Sequence, residues 1–317
     1  MSEPQSCPVQ QVTRGPRAVA IGAFDGVHLG HGVVVRSVLD AADRLGARSA
    51  ALTFEPTPRQ HFGRDHNARY RLTPDPERVG LLCNLGIEQV IVQSFDEELR
   101  ATSPEDFVRS ILLERLEAKY VAIGQSHSFG AGRDAGPEAM VEYGRKYGFE
   151  VYIVPLVSAG ELDVSSTKIR AALRDGDVAT ASKMLGRPYT VSGIVERGNR
   201  IGTDLGWPTA NVSYPRMKFV PGNGVYAGVA RVGEPDSPLV AAAISLGPAP
   251  SVGVEQRRLE AHLIGFEGDI YDEEITVGFI ERLRGIETFD SLEELNTRVR
   301  ADIDETQRIY ESLRAGS

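Results

Sequence analysis

The segment Gly22–His31, GAFDGVHLGH, follows the apolar run Ala18–Ile21 and precedes a stretch in which Val34, Val35, Val38, Ala42 and Leu45 recur at helical spacing up to Gly46. A short buried run, a glycine-rich turn and an amphipathic helix are the start of a parallel α/β sheet. Ligands of such sheets sit beyond the carboxyl ends of the strands. Glycines let the backbone approach phosphates closely, and the following helix N-terminus offers N–H groups to an anion. His28 and His31 can then reach one side of the same pocket and favour charge growing on phosphoryl oxygens during an in-line displacement. An isolated HxxH pair is equally a polar helix cap or half of a metal site. No third ligand is apparent, which disfavours a metal held by these histidines.

Outward from this segment, short apolar runs alternate with helical periodicities. Ala18–Ile21, Ser49–Phe54, Gln89–Gln93, Tyr120–Gly124 and Val151–Pro155 are expected strands. Ser103 before Pro104 reads as an N-cap with proline at the first helical position, opening a helix through Leu116. The alternation predicts a parallel sheet covered on both faces. Beyond Gly186 turn residues become frequent, and Val191–Glu196, Gly224–Val232, Leu239–Ser245, Arg258–Phe266 and Ile275–Ile280 read as antiparallel strands of a small barrel. Ser291 and Glu294 form a capping box, after which Leu292, Leu295, Val299 and Ile303 fall on one face of a closing helix. The expected organisation is a polar leader over 1–16, an α/β domain over 17–186 and a barrel domain over 187–317, joined near Leu185–Pro188.

Composition narrows the function. The 317 residues are 41% hydrophobic and 25% charged, with no apolar run long enough for a bilayer span. The opening MSEPQSCPVQQ lacks the basic start and apolar segment of a secretory signal, so a cytoplasmic location is expected. Cys7 and Cys83 have no metal-ligand spacing around them and read as a free surface thiol and a packed core thiol. A net charge of -9 without a basic run argues against nucleic acid as a partner, so any phosphate is held by a local site.

GxFDGxHxGH resembles the signature of the nucleotidyltransferase part of bacterial bifunctional riboflavin kinase/FMN adenylyltransferases, the FAD synthetases. Further segments are similar to family elements in the same order. These are TFEPTP (Thr53–Pro58), SSTKIR (Ser165–Arg170), LGRPY (Leu185–Tyr189), LGWPTAN (Leu205–Asn211; LGFPTAN in the family pattern) and LEAHLIGF (Leu259–Phe266; LExHLLDF). The resemblance implies a Rossmann-like nucleotidyltransferase domain with a parallel sheet. An antiparallel riboflavin-kinase-like barrel and a C-terminal helix follow it. It implies phosphorylation of riboflavin to FMN and transfer of AMP from ATP to FMN, giving FAD and pyrophosphate. In the first domain His28 and His31 would steady the ATP phosphates. Gly22, Phe24, Asp25, Gly26 and Gly30 would shape the loop that admits ATP, and Ser165, Ser166, Thr167 and Arg170 would close over the leaving pyrophosphate. In the second, Glu260 would be the base, Thr209 and Asn211 would hold Mg²⁺ and orient ATP, and Gly206 and Pro208 would shape the turn. The implied partners are ATP, riboflavin and FMN, with no nucleic acid and no membrane.

Read without the family, SSTKIR is an ordinary capped helix start, Glu260 an outward-facing strand carboxylate and PTAN a plain turn. Several positions depart from the pattern. Ala23 stands where asparagine is frequent, and Thr57 replaces the histidine of the P-His-P turn. Ser126 and His127 replace an acid or amide and a phenylalanine. In the barrel Ile201 and Thr203 stand in place of two arginines, Ala249 of another and Gly265 of an aspartate, while Ile286 occupies a glutamate position beside Glu287. These changes lead us to expect adenylyl transfer to be better furnished than the kinase step. They also keep open a non-catalytic flavin-binding paralogue and a nucleotidyltransferase for another phosphorylated acceptor. A tRNA synthetase, whose first signature also resembles HLGH, is disfavoured by the acidic charge and modest length.

Overall fold

The computed structural model describes residues 6–57, 70–131, 134–197, 206–248 and 257–315. The chain divides into two compact units, Met1–Ser166 and Thr167–Ser317.

In the first unit six parallel strands form one sheet: β1 (Ser6–Pro8), β2 (Arg17–Ile21), β3 (Arg48–Glu55), β4 (Gln89–Ser94), β5 (Ala118–Gly124) and β6 (Glu150–Val154). Their order is β1-β4-β3-β2-β5-β6, so the chain moves first to one side of β2 and then to the other. The C-terminal edge between β2 and β5 is therefore a topological switch point. Alternation along β2 serves both faces. Ala18 and Ala20 pack with Val34, Val35 and Val38 of α1 (Leu29–Leu45) and with Val79 and Leu82 of α2 (Glu77–Asn84). Val19 and Ile21 pack with Phe107, Leu112 and Met140 on the opposite face. That second layer comprises α4 (Pro104–Phe107), which continues as a π-helical stretch Val108–Arg115, and α5 (Pro137–Tyr147); the short α3 (Glu97–Ala101) precedes them. Ser103 caps α4 as expected, its hydroxyl accepting from Asp106 N. A two-stranded ribbon, β7 (Ser158–Ala159) and β8 (Leu162–Asp163), ends the unit.

The polar leader needs correction. Ser6–Pro8 pairs with β4 as an edge strand, Val9 is buried, and Cys7 packs against the core. Three residues are too short for a period-2 pattern to register, and the pairing comes from β4. Burial pushes the Cys7 and Cys83 thiols above their ordinary value, which leaves both protonated near neutral pH and poorly reactive.

The second unit is a closed antiparallel barrel of order β10-β13-β12-β11-β14-β9. Its strands are β9 (Tyr189–Glu196), β10 (Ala210–Ser213), β11 (Gly224–Val232), β12 (Val240–Pro248), β13 (Arg257–Leu263) and β14 (Glu274–Arg284). The short β10, hidden behind Pro208 in the sequence, pairs with β9 and β13. Two helices precede the barrel, α6 (Ser166–Asp175) and α7 (Val178–Leu185). Sequence texture groups both with the α/β half, but the division between compact units puts all of α7, and α6 beyond its first residue, with the barrel. Val178, Ala181, Met184 and Leu185 bury the face of α7, which lies against β9 and β14.

The closing helix α8 (Leu292–Ala315) buries Asp302, Ile303 and Thr306, whereas Leu292 is 66% exposed and not part of the packed face. Asp302 forms a buried pair with Arg284, Oδ2 accepting from Nη2 at 2.7 Å and from Nε at 3.0 Å. Removing one partner strands a buried charge, so Asp302→Ala should lower the stability of this unit by about 3 kcal/mol. Trp207, the only tryptophan in the sequence, lies in the barrel unit, so urea titration followed by its emission measures that loss there.

Candidate functional site

The first candidate site is the turn from β2 into α1. Phe24 (φ 49°) and Val27 (φ 39°) are left-handed although neither is glycine, and Gly26 between them has φ 91°. Such strain persists only where neighbours over-determine the backbone, and they do here. The Asp25 carboxylate accepts the N–H groups of Leu72 (2.8 Å) and Thr73 (3.2 Å), while Gly26 N–H donates to the Thr73 hydroxyl (2.8 Å). The fully buried Arg78 donates to Ala23 O at 2.9 Å and pairs with Asp75. Ser166 donates its hydroxyl to Asp25 O at 2.8 Å, tying the SSTKIR segment to the loop. Asp25 is thus a strut of the turn, and Arg78 and Thr73 are supports that the motif alone did not reveal. The Asp75–Arg78 spacing was the available signal.

His28 is the N-cap of α1, and the two histidines form a reciprocal box. His31 N–H donates to His28 Nδ1 and His28 N–H to His31 Nδ1, each at 3.3 Å. Their rings stack at 3.7 Å with 13° between planes. The polar-cap reading of HxxH is therefore correct as far as it goes. It also decides the chemistry. With both Nδ1 atoms accepting, the proton of each neutral ring sits on Nε2. Gly30 permits the stack, because a Cβ there would stand 3.2 Å from His28 Cε1 and Nδ1. Gly22 is half-exposed behind Phe24, whose buried ring meets His31 edge-on at 5.2 Å.

Of the remaining first-site candidates, Ser165 and Ser166 end the first unit, while Thr167 (exposed) and Arg170 (buried) lie on α6 in the second. Thr57 is buried; His127 lies against Phe129, rings 6.2 Å apart and 22° from parallel, and Ser126 is exposed.

The second candidate site lies on the outside of the barrel. Along β13, Leu259, Ala261 and Leu263 are buried, so Arg258, Glu260 and His262 share the outer face. Glu260 is directly opposite Asn211 of β10 on one side and Ser245 of β12 on the other. Such opposed residues carry Cβ atoms about 5 Å apart. Arg258 Nη1 stands 3.5 Å from Glu260 Oε1, and the carboxylate side chain is 31% exposed. The turn Gly206–Thr209 leads into β10, with Gly206 left-handed at φ 86°. His262 Nδ1 is 2.9 Å from Pro208 O. Trp207 Nε1 donates to Asn296 Oδ1 of α8 at 2.8 Å. His262 and Trp207 both lie inside the quoted motifs, yet only the register shows what they hold. Ile201, Thr203 and Ala249 lie outside the described residues. Ile286 is 45% exposed, and the neighbouring Glu287 pairs with Arg284 and Arg298 at 3.5 and 3.3 Å. Among the described residues no group of three or more His, Cys, Asp or Glu side chains is gathered to hold a metal ion, and no helix is long and apolar enough to cross a membrane.

Comparison with known proteins covers both halves of the chain. The FAD synthetase family model matches residues 10–168 and the riboflavin kinase family model residues 185–310. The bifunctional riboflavin kinase/FMN adenylyltransferase of Escherichia coli K12 is 33% identical over 90% of each chain. That of Pseudomonas fluorescens is 36% identical over 89% of each. A solved structure titled macrolide-efflux protein, from Streptococcus pneumoniae, superposes with TM-score 0.87 at 28% identity and covers 95% of this chain and 98% of its own. The chain belongs to the family of bifunctional riboflavin kinase/FMN adenylyltransferases.

Proposed function

We propose that the chain makes FAD from riboflavin in two ATP-dependent steps, one in each half, with adenylyl transfer in the α/β unit and phosphorylation in the barrel unit. The observation that carries the reading is the opposition of Glu260 and Asn211 on the barrel, in a chain whose other half stacks two imidazoles at the switch point of a parallel sheet.

In the kinase step the terminal ribityl hydroxyl of riboflavin attacks the γ-phosphorus of ATP, and ADP leaves as the bond from the γ-phosphorus to the bridging oxygen breaks. A primary alcohol must lose its proton as it does so, and the half-exposed Glu260 carboxylate is the acceptor. The Thr209 hydroxyl and the Asn211 amide oxygen suit Mg²⁺, a hard cation that takes few protein ligands beside phosphates. When bound, Mg²⁺ neutralises phosphate charge during the transfer. Gly206 and Pro208 set the path of the turn that carries the Thr209 hydroxyl and leads into the strand of Asn211.

Adenylyl transfer needs less of the protein. An FMN phosphate oxygen, already anionic, attacks the α-phosphorus of ATP, and pyrophosphate leaves without a base. The Nε2–H groups of His28 and His31 stabilise the charge that grows on the phosphoryl oxygens. Ser165 and Ser166 hold the leaving pyrophosphate, and the loop of Gly22, Phe24, Asp25, Gly26 and Gly30 sets the approach.

Two variants separate the halves. Asparagine is as good an N-cap as any residue, so His28→Asn should keep the thermal midpoint of the wild type while losing the Nε2 donor. It should slow conversion of FMN to FAD by about a hundredfold and leave phosphorylation of riboflavin intact. Glu260→Gln should slow formation of FMN from riboflavin by about 10²- to 10⁴-fold and leave FAD formation from supplied FMN unchanged. Chromatography of flavins after incubation with ATP and Mg²⁺, starting from riboflavin or from FMN, reads both. If the wild type yields no product from either flavin, the proposal is wrong.

A further inference from the structure

We propose that Trp207 is a positioning residue for the kinase step, tying the turn that carries Thr209 and leads into the strand of Asn211 to helix α8 while His262 secures the same turn to the strand of Glu260. The inference rests on the kinase reading of the barrel. Pro208 O can only accept a hydrogen bond, so His262 Nδ1 is the donor across their 2.9 Å contact. His262 is two residues from Glu260 on the same face of β13, so the peptide just before Thr209 is registered to the strand of the base. On the other side of that peptide, the Trp207 indole N–H donates to Asn296 Oδ1 at 2.8 Å. Arg300, one helical turn beyond Asn296, places its guanidinium 5.6 Å from the indole centroid, and His262 meets the ring edge-on at 6.0 Å. The helix is itself anchored one-half turn further on by the buried Arg284–Asp302 pair. The turn is thus held from two elements that are each independently fixed.

The indole matters because of what it adds to the ring. The pattern that LGWPTAN resembles has phenylalanine here, which fills a similar space but cannot donate to Asn296. The same turn follows a segment in which Ile201 and Thr203 stand where two arginines are usual. With fewer cations to draw the nucleotide in, a turn already held in its binding shape spares the ordering cost on binding. Trp207 therefore acts on ATP affinity through Thr209 and Asn211, without touching the reacting atoms.

Because Trp207 is the only tryptophan, its emission reports on this turn in the full-length protein. Adding Mg²⁺ with ADP brings phosphate charge beside a turn that is already in place and should change the emission of the wild type through that charge; an unresponsive spectrum overturns the proposal whatever the activity. In riboflavin phosphorylation, Trp207→Phe should raise KM for Mg²⁺–ATP about three- to tenfold, the range of one ordinary hydrogen bond, with kcat little changed. Conversion of FMN to FAD by the same protein should not move, which separates lost positioning from general damage. Asn296→Leu should reproduce the effect, and the double variant should add nothing to either single change. An unchanged KM in Trp207→Phe, or additive effects in the double variant, overturns the tether. A wild type that answers Mg²⁺–ADP in emission but fails to phosphorylate riboflavin overturns the kinase reading and retains Trp207 as part of a nucleotide-binding turn.

Discussion

The loop between β2 and α1 depends on a buried carboxylate, Asp25, that holds two backbone N–H groups of residues 72 and 73. One carboxylate that accepts from two successive backbone N–H groups fixes both to the turn, and its removal would cost both bonds. With that strut in place the backbone can hold left-handed Phe24 and Val27, and Arg78 and Ser166 fasten the residues on either side. The stacked histidines come next, since His28 can cap α1 only if the loop delivers it in extended conformation to the first turn. The cap then decides which imidazole nitrogen carries the proton. A carboxylate three residues before His28 thus underlies the geometry that sets the tautomers of both imidazoles.

The two halves solve the problem of exposing a reactive group in opposite ways. A parallel sheet is covered on both faces, so its chemistry is confined to the ends of strands, where β2 stops and α1 begins. The antiparallel barrel fills its interior with alternate residues and leaves the others outside, so Glu260, Asn211 and Ser245 lie in a row across three strands. Site precision at the sheet comes from loop struts. At the barrel it comes from register, which a slip of one residue would invert, and the hydrogen bonds of His262 and Trp207 hold the turn that leads into β10.

Much of this was legible in the chain. The central strands of the first unit begin and end within two residues of the apolar runs, because strands buried on both faces leave continuous hydrophobic signals. The barrel strands other than β10 also registered, as did the Ser103 cap. What escaped was short or borrowed from a neighbour. Ser6–Pro8 and Ala210–Ser213 are strands because β4, β9 and β13 supply their partners. Helices α6 and α7 have the periodicity of the first half but divide with the second, a choice no local pattern contains. Leu292 matched the helical stripe of α8 yet stays exposed, since the packed face is set by Asp302 and Thr306, polar residues satisfied by Arg284 and by the helix backbone.

The same division runs through the sites. The glycine spacing after the first strand was enough to single out His28 and His31, whereas Glu260, Thr209 and Asn211 stood out only through the resemblance to the family, since alone they read as an outward-facing strand carboxylate and a plain turn. The sequence by itself thus determined the alternation of elements, the family and the candidate groups. Tertiary structure alone decided the tautomers of the histidines, the opposition of Glu260 and Asn211, and the tie of Trp207 to α8. Those depend on hydrogen bonds between atoms far apart in the chain or on strand register, and such pairings are set by how the elements pack and not by any local preference.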